Sequence, residues 1–246
     1  MQNSPIRRIE TKTKDPDIYG TTYSTSFLNF VSMAGKVTRK QTLQEEVANS
    51  LTHGVGILFS VVAISLLVTF SVLNGTAIHV VSCSIFGASI LLLYTFSTLY
   101  HAIQSPVVKP LLRTFDHISI YFLIAGTYTP FLLIAVGGLT GWIYFGIIWT
   151  LTLVGLVFKV FYTHRFSKLS LILYLSMGWL AIFLIKPLVN NLGAAELSLI
   201  AGGGIAYTLG TIFYVNKTMM FSHAIWHVFV LMGTICHFIA IMFMIQ

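Results

Sequence analysis

His223 and His227 lie four residues apart in the stretch FSHAIWHVFVLMGTICHF. That spacing is one helical turn, which lets two imidazoles grip one ion from a single helix. A third imidazole, His101, follows Ser97 by four residues near the end of one apolar run, and Asp116 opens the next. A carboxylate in an apolar segment costs a few kcal/mol unless something pairs with it, so by default it marks function. The expected partner is one zinc ion per chain. Nitrogens from His101, His223 and His227 leave the fourth tetrahedral position for water, the open arrangement of a catalytic zinc. Zinc lowers the pKa of such a water towards ~7, and Asp116 is the expected acceptor of its proton. Ser97, on the same face as His101, is expected to hydrogen-bond the substrate carbonyl or Asp116. The implied chemistry is hydrolysis of an amide or ester.

Two histidines one turn apart are by themselves more often packed than metal-binding; a third histidine and a buried acid at the same depth tip the balance. Glu46, Asn49 and His53 are spaced three and four apart and share one helical face, which makes them candidate supporting groups around the ligands. The alternative for these three is interfacial capping plus a histidine packed in the bundle. His79 and His164 are read as loop residues, and His117 and His237 as packing or supporting residues rather than ligands.

The elements that must carry these residues are membrane helices. The chain has 246 residues, 56% hydrophobic and only 9% charged, with a mean hydropathy of +0.86, whereas soluble domains carry roughly 25% charged residues. A helix crossing ~30 Å of hydrocarbon needs ~20 mostly apolar residues. Uncharged runs of 62 residues (47 to 108) and 42 (between Asp116 and Lys159) each hold two spans, the first divided near Asn74 and Gly75, the second at Gly137, Gly138 and Gly141. Further runs of 17, 20 and 29 residues hold one span each, which makes an all-α bundle of seven transmembrane helices. Thr42 and Glu45 form a capping box at the start of the first. Pro130 lies deep in the third and is expected to kink it, the fourth and fifth are read as scaffold, and Gly202, Gly203 and Gly204 in the sixth permit close helix contact.

Thirteen of the 14 basic residues fall on the side of the N-terminal tail, and only Lys186 lies opposite. The N-terminus is therefore expected in the cytoplasm and the C-terminus outside. The net charge of +7 is explained by basic flanks at an anionic leaflet, with no nucleic-acid partner. In this topology the second helix descends to the cytoplasmic face, while the first, third and seventh ascend from it. His53, His101, Asp116, His223 and His227 all fall in one inner-leaflet layer. Residues 1–41 are read as a cytoplasmic tail with no cleavable signal peptide, and 42–246 as the seven-helix domain. Phe27 to Val37 suit either a short surface helix or a stretch packed on the protein. Cys83 and Cys236 lie in apolar spans and indicate no disulfide framework.

Four motifs carry a family resemblance: Glu46, Asn49 and His53 in ExxNxxTH, Ser97 and His101 in SxxxH, FDHISIYFLIAGTYTP from Phe115 to Pro130, and HAIWHVFVLMGTICHF from His223. Together they resemble haemolysin III-type proteins, the bacterial branch of the progestin and adipoQ receptor family, related more distantly to alkaline ceramidases. The resemblance runs over residues 42 to 240. It implies a seven-helix bundle with a cytoplasmic N-terminus in the bacterial inner membrane. It also implies zinc on His101, His223 and His227, with Asp116 near the zinc-bound water and Ser97 beside it. Eukaryotic relatives show ceramidase-like hydrolysis of lipid amides, which makes a membrane lipid entering from the inner leaflet the expected substrate. A hormone-receptor role is not implied: the long N-terminal extension of those receptors is missing and His117 stands where many of them place an aromatic residue. Two alternatives stand beside the hydrolase: a pore-forming, cytolytic protein, and a membrane-homeostasis or signalling component whose zinc is structural.

Overall fold

A computed structural model describes residues 41–162 and 167–246. The expected tail, Gln41 apart, lies outside the described residues, as do the alternatives for Phe27 to Val37 and the placement of His164. The described regular structure is entirely helical: α1 (Leu43–Asn74), α2 (Ala77–Ala102), α3 (Lys109–Pro130), α4 (Gly138–Tyr162), α5 (Ser167–Gly178), α6 (Ile185–Asn191), α7 (Ala194–Val215) and α8 (Ser222–Ile245). A 3-10 stretch, Trp179–Leu184, joins α5 to α6, and the three pieces form a single crossing. Seven segments among the described residues are long and apolar enough to span a membrane.

Beside a core of large apolar side chains such as Phe86, Tyr94 and Leu132, the helices bury many small and polar residues and turn many other large apolar ones outward. In α1 the buried set includes Asn49, His53, Gly56, Ser60, Ala63 and Ser71, while Val47, Leu51, Val55, Leu58 and Val62 are exposed. Lipid solvates apolar side chains as well as a protein core does, so helices associate through small residues that let backbones approach and through polar residues that bond across. Successive helices α1, α2, α3 and α4 pack as neighbours, α7 packs on α8, and α8 returns to α1. Their inward faces therefore surround one interior.

Local sequence sets the ends that matter. Thr42 and Glu45 make the expected capping box: the Thr42 Oγ accepts from the Glu45 N–H at 3.3 Å, and the Thr42 N–H donates to the Glu45 carboxylate at 2.9 Å. The other oxygen of Glu45 accepts from the Phe221 N–H at 3.0 Å, so one buried carboxylate joins the starts of α1 and α8. Phe221 holds a left-handed φ of 56°, uncommon for a bulky residue, and this bond secures it directly before the two histidines of α8. His79 is not in a loop. It lies in the first turn of α2 and its Nδ1 accepts from the Thr76 N–H at 3.2 Å, capping that helix.

Pro130 ends α3 as a regular helix. It lacks the N–H that would continue the ladder, and residues Phe131–Val136 follow as a wider π-helical stretch. Gly137 and Gly138, at φ of 63° and 53°, then reverse the chain in a conformation that favours glycine. Of the three consecutive glycines in α7, only Gly203 faces a close neighbour, the ring of His237; Gly202 and Gly204 face open space.

Candidate metal centre

The last turn of α2 and the first two turns of α8 bring His101, His223 and His227 together. One ligand nitrogen from each lies within 4.8 Å of the others. The Nε2 atoms of all three are buried and have no hydrogen-bond partner. A buried polar atom without a partner costs on the order of 1–3 kcal/mol, and here three of them converge.

For His101 and His227 the opposite ring nitrogen is committed, and this fixes which nitrogen those two rings offer. His101 Nδ1 lies 2.6 Å from a Glu46 carboxylate oxygen. A carboxylate only accepts, so His101 carries its proton on Nδ1 and leaves the Nε2 lone pair free. His227 Nδ1 lies 3.2 Å from the Asn49 carbonyl and 3.1 Å from the Thr52 Oγ. That hydroxyl sits 2.9 Å from the Ala48 and Asn49 carbonyls, to which it donates, so His227 likewise holds its proton on Nδ1. Orientation of metal-binding histidines by carboxylate and carbonyl acceptors is the usual arrangement around such sites. Glu46 is held in turn by Lys109, whose Nζ donates to its second oxygen at 2.8 Å, to the Tyr100 carbonyl at 3.2 Å and to the Gln104 side chain at 3.0 Å. The donor set, three neutral imidazole nitrogens, suits zinc or another borderline divalent metal.

His53 stands apart from the ligand cluster. Its ring stacks on His227 with centroids 3.5 Å apart, meets Tyr94 edge-on at 5.0 Å, and leaves both nitrogens buried without a partner. Asp116, 5% exposed, does not contribute to the cluster but shares a polar pocket of about 170 Å³ with His101 and His223. The His117 Nδ1 lies 3.8 Å from its carboxylate. Ser97 is fully buried on α2 with its hydroxyl unpartnered, and it does not line the pocket.

Beside the polar pocket lies a larger, partly open apolar chamber of about 460 Å³, lined mainly by α3, α5, α6, α7 and α8. Ile120, Tyr214 and Trp226 line both spaces, so the two adjoin. His53 and His237 also line the chamber. His237 lies ten residues along α8 from His227, about 15 Å of helix.

Sequence reasoning missed Lys109, the second bond of Glu45, and Lys159. Lys159 had only the signal of a cation near the end of the fourth span, where such residues ordinarily snorkel to water. It is instead 1% exposed and within electrostatic reach of Asp116 and Arg113.

The chain is similar to known proteins over most of its length. The family model described as "Haemolysin-III related" matches residues 41–238. The chain is 47% identical over 212 residues to Hemolysin-3 of Bacillus cereus, covering 86% of this chain and 97% of that protein. It is 49% identical over 202 residues to the Hemolysin-3 homolog of Bacillus subtilis (strain 168), covering 82% and 95%. The human Monocyte to macrophage differentiation factor is 31% identical over 211 residues, covering 82% and 85%. With seven apolar crossings and matches over nearly the whole length of its bacterial relatives, the chain belongs to the haemolysin-III-related family of multi-pass bacterial membrane proteins.

Proposed function

We propose that this protein is a zinc-dependent membrane hydrolase of a lipid amide or ester. The observation that carries the reading is the convergence of three buried, unpartnered Nε2 atoms where a polar pocket containing a carboxylate adjoins a chamber for an apolar chain. His101, His223 and His227 would hold the zinc. A zinc ion in such a site supplies Lewis-acid polarisation of a water or a carbonyl.

The chain's own residues do the rest. Glu46 and the Asn49 carbonyl hold the protons of His101 and His227 on Nδ1, so both rings present Nε2. Asp116, in the pocket shared with two of the ligands, accepts a proton from the attacking water. It can then return that proton to the departing nitrogen or oxygen. The chamber walls take up the acyl chain, keep bulk water from the reacting bond and place that bond at the pocket's inner edge. Ser97, one turn before His101, supports the packing of that turn. The charge asymmetry supports a cytoplasmic N-terminus, with the 1–41 segment as a cytoplasmic tail and the lipid drawn from the inner leaflet.

Purified protein is expected to carry one zinc per chain and to turn over a lipid amide or ester. The His227→Ala variant should lose metal and turnover together, and Asp116→Ala should lose turnover while keeping metal. Full turnover by both variants would end the hydrolase reading. Two of the relatives are named as hemolysins; dye release from liposomes by zinc-free protein would favour a lytic role for this chain instead.

A further inference from the structure

His237 lines the apolar chamber and has no part in the histidine cluster or in the chemistry proposed for it. It is only 7% exposed. Its Nδ1 lies 2.7 Å from the Gly233 carbonyl, one turn back on α8. A carbonyl only accepts, and a charged ring is costly in hydrocarbon, so the neutral imidazole carries its proton on Nδ1 and keeps a lone pair on Nε2. That Nε2 has no hydrogen-bond partner among the described residues. The ring is held firmly, stacked on Tyr207 with centroids 5.5 Å apart and meeting Phe131 edge-on at 6.2 Å. On the α7 side it packs so closely on Gly203 that a Cβ there would collide with it.

The hydroxyls around this ring have their own protons engaged. Thr234 donates to the Val230 carbonyl at 3.0 Å, so its oxygen receives both the Tyr94 hydroxyl at 2.8 Å and the Tyr207 hydroxyl at 3.0 Å. In the chamber wall, Thr127 and Thr208 donate to the Leu123 and Gly204 carbonyls at 2.7 and 2.8 Å. What these groups still offer an occupant is acceptors. The rest of the lining is largely aliphatic and aromatic, so a plain hydrocarbon chain would fill the space and leave the Nε2 lone pair unpaired, which costs free energy. A hydroxyl on that chain would supply the missing donor.

Deepening the hydrolase reading, on which it rests for the nature of the bond cleaved, we propose that the chamber takes an acyl chain bearing a hydroxyl in its distal part, which donates to His237 Nε2. His237 lies about 15 Å of helix beyond His227. Three extended backbone bonds cover ~3.6 Å, so about twelve carbon–carbon bonds separate that hydroxyl from a carbonyl held at the histidine cluster.

The test uses free fatty acids, which have no ester or amide to hydrolyse. Displacement of radiolabelled octadecanoate is measured on the purified full chain in nanodiscs of zwitterionic lipid, with affinities corrected for partition into empty nanodiscs. The 12-hydroxy acid is expected to bind about fivefold more tightly than octadecanoate, the usual contribution of one neutral hydrogen bond. The 12-oxo acid, which can only accept, and the 6-hydroxy acid, whose hydroxyl falls short of His237, should show no such gain. In His237→Phe the preference should vanish, and His237→Gln, which keeps an acceptor, should retain part of it. Equal affinity for the 12-hydroxy and unsubstituted acids would overturn the proposal, and that comparison needs only the unaltered protein. So would a preference that persists in His237→Phe, a gain as large with the 6-hydroxy acid, or one as large with the 12-oxo acid, since the wall would then be donating. A protein that prefers the 12-hydroxy acid yet hydrolyses no lipid would retire the hydrolase reading and keep this one. Turnover of plain and hydroxylated acyl amides alike, with no preference in binding, would do the reverse.

Discussion

At the scale of single residues, the capacity of the histidine cluster to hold a metal depends on which ring nitrogen holds the proton. The 2.6 Å contact from Glu46 to His101 Nδ1 decides this for one ligand, and Lys109 keeps Glu46 in place at 2.8 Å. Glu46→Gln preserves the side chain's shape but exchanges an acceptor-only group for one that can present either a donor or an acceptor. Zinc affinity is expected to fall about 10–100-fold, the usual effect of losing such an orienting partner, measured by competition with a chromogenic chelator. Lys109→Met should shift affinity in the same direction by less, since Glu46 keeps its contact to His101. Unchanged affinity in Glu46→Gln would mean that the carboxylate does not set the ring. The spacing of Glu46, Asn49 and His53 was legible in the sequence as one helical face, because a 3.6-residue period is a property of the chain alone. Their different tasks were not. Whether a residue on that face meets His101, His227 or only a neighbouring ring depends on how far α1 slides and rotates against α2 and α8, and that is decided by packing.

At the scale of helices, close approach is specified by a few small residues, and α7 against α8 is the sharpest case. A Cβ on Gly203 would run into the His237 ring. That ring cannot easily yield, since its Nδ1 bonds to the Gly233 carbonyl at 2.7 Å and its face stacks on Tyr207 with centroids 5.5 Å apart. Gly203→Ala is therefore expected to destabilise the protein by about 1–3 kcal/mol, the range for overpacking a filled interior. Gly202→Ala, facing open space, should be neutral or stabilising through helix propensity. Thermal unfolding in detergent, followed by helical circular dichroism, distinguishes the two; equal midpoints would show that the α7–α8 contact is soft. The run of three glycines made close packing at this helix legible in sequence, but not which of them does it. The existence and number of the spans were legible for a stronger reason: unpaired charge is excluded from hydrocarbon, so gaps between charges measure crossings. The π-helical stretch after Pro130 and the 3-10 break between α5 and α6 left no comparable mark, because backbone redistribution around a missing hydrogen bond is resolved by the neighbouring helices.

At the scale of the whole molecule, the seven crossings place alternate connections at opposite ends. The metal cluster, Arg113 and Lys217 gather at the end that also holds the α2–α3 connection, and Lys186 lies towards the other. Positively charged connections are retained in the cytoplasm as the chain inserts, and among the described residues Lys109, Arg113, Lys159, Lys168 and Lys217 lie towards the end that holds the histidine cluster. Arg113 and Lys217 count towards orientation and also line the polar pocket. The expected topology can be read directly with single cysteines in a chain whose Cys83 and Cys236 are changed to alanine. Val107, 83% exposed in the α2–α3 connection, and Asn191, exposed at the end of α6, provide one reporter for each side. A membrane-impermeant maleimide added to intact cells should label Asn191→Cys and spare Val107→Cys until the membrane is permeabilised. The opposite pattern would turn the histidine cluster to the outer face. The substrate would then have to enter from the outer leaflet, and the basic residues around the pocket could no longer be attributed to the rule that orients the chain.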